Sequence, residues 1–160
     1  MEFAQKDFSH YWKIIRIPTF VLVGWSVLGF IIAIISFSLY ASIFSSSASW
    51  LLMIIVFAFI GWTTIKDHKE TVKIAAYAGA LCGVITGFIG AVIGILMFYF
   101  IPAFIQYAIA QAATQPGVDA AAIQGFMQIG MYIGLITGPL FSALIGAAIS
   151  AVAALIAKKV

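Results

Sequence analysis

Four long uncharged apolar runs lie along this chain, and three short basic clusters flank them. The first run covers 18–40, "PTFVLVGWSVLGFIIAIISFSLY", and the others cover 48–65, 74–101 and 127–157. A helix needs about 20 predominantly apolar residues to cross the hydrocarbon core of a bilayer, with a range near 17–25. The first run fits this length. The second is short and reaches it by borrowing the serines at 47–49 or by thinning the bilayer locally. The last two are longer than required and should tilt or protrude. The predicted fold is an all-α integral membrane protein, a single membrane domain over 1–160 with four transmembrane helices.

A different pattern precedes the first run. In "DFSHYWKIIRIPTF", Phe8, Tyr11, Trp12, Ile14 and Ile15 fall on one helical face, and Lys13 and Arg16 fall on the other. This spacing predicts an amphipathic interfacial helix over 1–17, lying on the inner leaflet as an anchor. Pro18 should end it and open the first span, because proline is tolerated in a first helical turn. Trp12, Trp50 and Trp62 lie near the predicted boundaries, where belt aromatics gather. Trp25 lies inside the first span and is the exception.

Composition and charge place these helices. Hydrophobic residues make up 64% of the chain and charged residues 8%, against about 25% charged in soluble proteins. Such a surface suits lipid, so the bilayer is the first predicted partner. The eight Lys and Arg residues form three clusters: Lys6, Lys13 and Arg16; Lys66, Lys69 and Lys73; Lys158 and Lys159. With four crossings all of them share one side, and the opposite loops, 41–49 and 102–125, hold a single charged residue, Asp119. The positive-inside rule then predicts cytoplasmic amino and carboxy termini, with the cell (plasma) membrane as the expected location. The net charge of +3 does not point to nucleic acid, because the cations flank apolar spans and form no continuous basic stripe. Residues 1–16 are long and carry Glu2 and Asp7, unlike the start of a cleaved signal peptide. Cys82 is the only cysteine and reads as a small buried hydrophobe.

The third and fourth runs carry the same glycine frame, "GALCGVITG" at 79–87 and "GMYIGLITG" at 130–138. In the third run Gly79, Gly83, Gly87, Gly90 and Gly94 fall within a stripe about 80° wide at 100° per residue. In the fourth, Gly130, Gly134, Gly138, Ser142 and Gly146 follow one another every four residues and wind across the helix. Glycine inside a helix costs about 1 kcal/mol relative to alanine in water, so a stripe of five needs a reason. In lipid that reason is usually close backbone approach, since packing drives helix association there. All ten positions are predicted to pack helices together, with the third and fourth as antiparallel neighbours. Pro139 should kink the fourth helix around Leu135.

Chemistry that the chain lacks narrows the function. None of the four spans contains Asp, Glu, Lys, Arg or His, and coupled transporters, voltage sensors and proton relays usually place such a residue in the bilayer. Small four-helix multidrug exporters rest on a carboxylate in the first helix, and here there is none. His10 and His68 lie outside the spans, so a haem between helices has no ligand. His68 with Asp67 and Glu70 reads as a solvated turn, with weak Lys66–Glu70 and Glu70–Lys73 pairs if that turn is helical. The triplet Ser45, Ser46 and Ser47 has no adjacent base and no nucleophile's setting. No catalytic, cofactor-binding or metal-ligating residue is expected. In the segment 102–125, Gln106, Gln111, Gln115 and Gln124 offer amides and Pro116-Gly117 marks a turn. Asp119 suits a cap on the last helix, and both long helices should continue into a protruding hairpin.

The sequence favours a non-catalytic membrane protein whose glycine faces assemble it with copies of itself or with other membrane subunits. The alternative is a small channel or carrier for a neutral or weakly charged solute along the Gly/Thr rows, with Thr86 and Thr137 as matched hydroxyls. A third reading is an inert enzyme subunit completed by a partner.

Overall fold

The computed structural model describes residues 6–44, 46–112 and 120–160, and the described residues are helical apart from short turns. In chain order, α1 spans Phe8–Ile35, α2 Phe37–Ile43, α3 Ser46–Lys66, α4 Val72–Phe100, α5 Pro102–Ala112 and α6 Ala120–Lys159. Four of these, α1, α3, α4 and α6, are long and apolar enough to cross a membrane. The chain is therefore a multi-pass helical membrane protein. Its outward faces agree: Phe20, Ile34, Leu51, Phe88 and Leu144 are exposed, and an apolar surface this extensive is stable in lipid rather than in water. α6 has 40 residues and is roughly 60 Å long, about twice the 30 Å hydrocarbon core.

The predicted break at Pro18 is absent. α1 runs through Pro18 without interruption, so the interfacial segment and the first span are one helix. Tyr11, Ile14, Ile15, Pro18, Thr19 and Leu22 are all buried, and their spacing of three and four residues forms one stripe along α1. That stripe lies in a core shared with Phe57 and Ile60 of α3 and Ala78 and Cys82 of α4. Burial against protein keeps the helix continuous across the proline, whose missing N–H removes one hydrogen bond. The apolar face at residues 11–15, expected to rest on lipid, is inside the bundle.

α1 also ends before Tyr40. Ser36 adopts an extended conformation, donates its N–H to the Ile32 carbonyl and accepts the Leu39 N–H on its side-chain oxygen, so one residue closes α1 and caps α2. A similar break follows α4, where Ile101 leaves helical geometry. α5 then packs Phe104 and Tyr107 against Phe37 of α2, with ring centroids 6.2 and 5.5 Å apart. The expected continuation of α4 into a protruding hairpin is replaced by a separate helix folded onto α2. Asp119, with its predicted cap, and the Pro116-Gly117 turn lie outside the described residues.

The ends of α3, α4 and α6 nearest the lysines meet the start of α1 at one pole, here called the basic end. α4 opens on Thr71, whose side-chain oxygen accepts the Ile74 N–H. The turn between α3 and α4 is not helical, and Lys69 takes a left-handed conformation (φ 54°). Glu70 therefore forms neither predicted lysine pair. Its carboxylate accepts a 2.8 Å bond from Lys6 and lies 3.0 Å from His10 Nε2. The Lys6 hydrogen bond is the main reason its carboxyl is held below the usual carboxylate range, against a smaller opposing effect of burial. This contact ties the chain start to the α3–α4 turn.

Candidate functional site

The glycine stripe of α4 divides into two halves with different surroundings. In the half nearer the basic end, α4 lies directly on α6. A Cβ built on Gly79 would strike the Gly146 backbone, and one on Gly83 would strike the Ser142 backbone. One on Gly87 would come within 2.9 Å of both the Pro139 Cα and the Ser142 Cβ. Going up α4 from Gly79 through Gly83 to Gly87, the partners go down α6 from Gly146 through Ser142 to Pro139, as antiparallel neighbours require. Only glycine allows backbones to approach this closely, the usual use of small residues in membrane helices.

α3 joins from the side. Gly61 meets the Ser150 carbonyl and the Ala153 methyl, and Ser150 donates a buried 2.8 Å hydrogen bond to the Phe57 carbonyl. Thr19 of α1 donates to the Cys82 sulfur at 3.4 Å. The interior here is solid: Phe57, Ile60, Ala78 and Cys82 are 0% exposed. Cys82 fills the role of a small buried group that accepts one bond.

The other half is open. Among the described residues, nothing lies within 4 Å of a Cβ on Gly90, Gly94, Gly130 or Gly134. Gly138 is intermediate, since its Cβ would reach the Gly87 carbonyl at an ordinary 3.8 Å. The two copies of the sequence frame are therefore not apposed. The 79–87 frame meets the 138–146 stretch instead, two helical turns along from the 130–138 repeat.

Gly90 and Gly94 open into a chamber of about 420 Å³ lined by residues of all six helices. Its walls are mostly apolar, with Leu22, Phe30, Phe44, Met53, Ile93 and Met97. A few polar groups converge among them: Trp25, Ser26 and Tyr40, then Ser49, Thr86 and Ser142. This volume falls in the range of small-molecule sites, about 300–1,000 Å³, and so does the mix of apolar walls with few polar groups. Phe104 of α5 forms part of the wall. A second cavity of about 410 Å³ lies between α4 and α6, lined by Ala91, Gly94, Phe104, Met127, Gly130 and Gly134 among others. Above it, the Tyr99 and Tyr132 hydroxyls lie 3.0 Å apart and bridge α4 to α6.

Trp25, the tryptophan out of place in the sequence, is explained by the chamber. Its indole N–H donates to Ser49 Oγ at 3.2 Å, and Ser49 in turn donates to the Phe44 carbonyl at 3.4 Å. Its ring lies 4.4 Å from that of Phe44. A buried indole usually finds such a partner. The sequence offered only its odd position as a signal, and Ser49, at the start of the second span, carried none.

The two threonines of the frame are separated. Thr86 lines the chamber and donates to its own helix at the Cys82 carbonyl, 2.8 Å away. Thr137 is exposed and donates to the Ile133 carbonyl at 3.1 Å. No continuous hydroxyl row joins them. Pro139 is buried within α6 and packs near Gly87, and the helix continues on both sides of it. Among the described residues, no group of three or more His, Cys, Asp and Glu side chains converges on a point that could hold a metal ion. No family model, curated protein or solved structure matches the chain.

Proposed function

We propose that this chain is a non-catalytic membrane protein that holds a neutral, largely apolar small molecule in the chamber opposite the basic end. The supporting observation is the division of the glycine stripe. Gly79, Gly83 and Gly87 are used in packing α4 on α6, whereas Gly90 and Gly94 leave room for a ligand rather than for another helix of this chain. The chamber's polar groups are hydroxyls and one indole, with no fixed charge, and an ion entering it would lose its hydration without a counter-charge. The solid interior toward the basic end favours binding or carriage over open conduction. By the positive-inside rule the basic end faces the cytoplasm, with the chamber in the outer half of a plasma membrane.

Assembly with copies of itself or with other subunits is the second reading. Gly130 and Gly134 support it, since among the described residues nothing lies within 4 Å of a Cβ placed on either. Native mass spectrometry of the full chain, carried in nanodiscs from its own membrane, tests both. Binding in the chamber predicts a small-molecule adduct that disappears in Gly94→Leu. Bare masses for both proteins would contradict it. A fixed homo-oligomer without an adduct would favour assembly.

A further inference from the structure

The chamber is not sealed from the side. Between α3 and α6 lies a slot of about 220 Å³, lined by Ser49, Trp50, Met53, Phe141, Ser142 and Ile145. Ser49, Met53 and Ser142 also line the chamber. The partition between slot and chamber is thus two serines and one methionine. The serines are small, and methionine is unbranched with three rotatable bonds, so it shifts more easily than a branched side chain. On the outer side Trp50 and Phe141 are 46% and 61% exposed, on faces of α3 and α6 that are turned outward in a membrane-spanning bundle. Phe57 and Cys82, nearer the basic end, are fully buried and lie outside the chamber's lining, while Phe104 and Tyr40 form part of its wall.

From this arrangement we infer that the chamber is loaded sideways from the bilayer through the α3–α6 slot, and that its ligand is a lipid-soluble molecule with an apolar chain and one neutral hydroxyl-type group. This rests on the proposal that the chamber binds a small molecule, and adds both the route and the chemical class. The slot and chamber are lined by hydrocarbon and aromatic groups, which suit a chain already dissolved in lipid. Ser49, Ser142 and Thr86 offer hydrogen-bond partners for a single neutral head, and such partners are strong where water is excluded. A charged head would face no counter-charge. A polar solute arriving from water would meet mostly apolar walls.

Trp25 provides the readout, since it lies in the chamber wall. In full-length protein carrying Trp12→Phe, Trp50→Phe and Trp62→Phe, Trp25 is the sole tryptophan. This protein is reconstituted into phosphatidylcholine vesicles and titrated with a brominated long-chain fatty alcohol as the lipid-borne quencher, and separately with acrylamide as the water-borne one. Sideways loading predicts saturable quenching by the alcohol and little by acrylamide. Adding Gly90→Leu, which places a side chain in the open space of the chamber, should weaken the saturable component about tenfold or more, a loss of ~1.4 kcal/mol of binding. Thermal unfolding of that variant serves as the control for folding. Saturable quenching by acrylamide alone would overturn the lateral route and the lipid-soluble class, while leaving a water-accessible binding chamber. Quenching by the alcohol that rises linearly and ignores Gly90→Leu would reflect bulk lipid at the bundle surface and would also overturn it. No quenching by either would sink both this inference and the binding reading beneath it.

Discussion

The two halves of the α4–α6 pair both carry rows of small residues and have opposite structures. Near the basic end, Gly79 and Gly83 bring α4 onto the backbone of Gly146 and Ser142. Farther up, Gly90, Gly94, Gly130 and Gly134 have nothing against them among the described residues. A glycine therefore permits close approach without causing it. What decides is whether other elements press the helices together at that level. In the closed half α3 does so, through Gly61 on Ser150 and the Ser150–Phe57 hydrogen bond. In the open half the rings of Trp25, Phe30, Tyr40 and Phe104 line the chamber beside Gly90 and Gly94.

The comparison breaks most visibly if a large side chain enters the closed half. Gly146→Leu would drive its side chain into the Gly79 carbonyl and the Phe57 ring. Overpacking of this kind costs about 1–3 kcal/mol and occasionally more. Backbone on the far side gives no room to relax, so the upper end of that range or beyond is expected. Unfolding in detergent, followed by helicity, would show a much lower midpoint. Gly134→Leu, in the open half, should leave that midpoint within about 1 kcal/mol of the parent, the scale of glycine's helix penalty. Equal losses in the two variants would erase the distinction between the halves.

A smaller change sharpens the account of what closes the lower half. Ser150→Ala removes the bond to Phe57 and should cost ~0.6–1.7 kcal/mol, the range found for side-chain bonds between membrane helices. Thr137→Val should cost less, since that hydroxyl is exposed and returns to its own helix. The smallest effect is expected at the basic end. Glu70 has a lowered carboxyl pKa in the folded protein, so the folded state binds fewer protons than the unfolded one where the two differ. Its contribution is complete above the ordinary carboxylate range and fades as pH falls through the lowered value. Glu70→Gln should flatten that part of the stability–pH curve while leaving the chamber's ligand binding unchanged.

Much of the architecture could be read from the sequence because bilayer thickness imposes it. Four uncharged runs of spanning length predict four long helices, and the same four are long and apolar enough in the structure. The α4–α6 neighbourhood followed from two glycine-rich runs joined in sequence. The continuity of α1 was less legible, because a local rule about Pro18 competes with burial of Tyr11, Ile15 and Leu22 on distant helices. The same limit hid the Lys6–Glu70 contact, which joins residues 64 apart. It also hid the register of α4 on α6: the repeat invites pairing of 79–87 with 130–138, and the structure pairs 79–87 with 138–146. The chamber was the least legible feature. A void is set by what fails to fill it, and its one trace in the sequence was Trp25, an indole within a span and in need of a partner.

The most direct test of the divided stripe adds one methyl group to each half. Gly83→Ala and Gly90→Ala, compared in the same detergent by chemical denaturation, differ only in what the new Cβ meets. The account predicts opposite signs: a loss of about 2 kcal/mol or more at position 83, where the Ser142 backbone blocks the methyl, and a gain of up to ~1 kcal/mol at position 90, where alanine simply favours the helix. Changes of the same sign and size at both positions would contradict it.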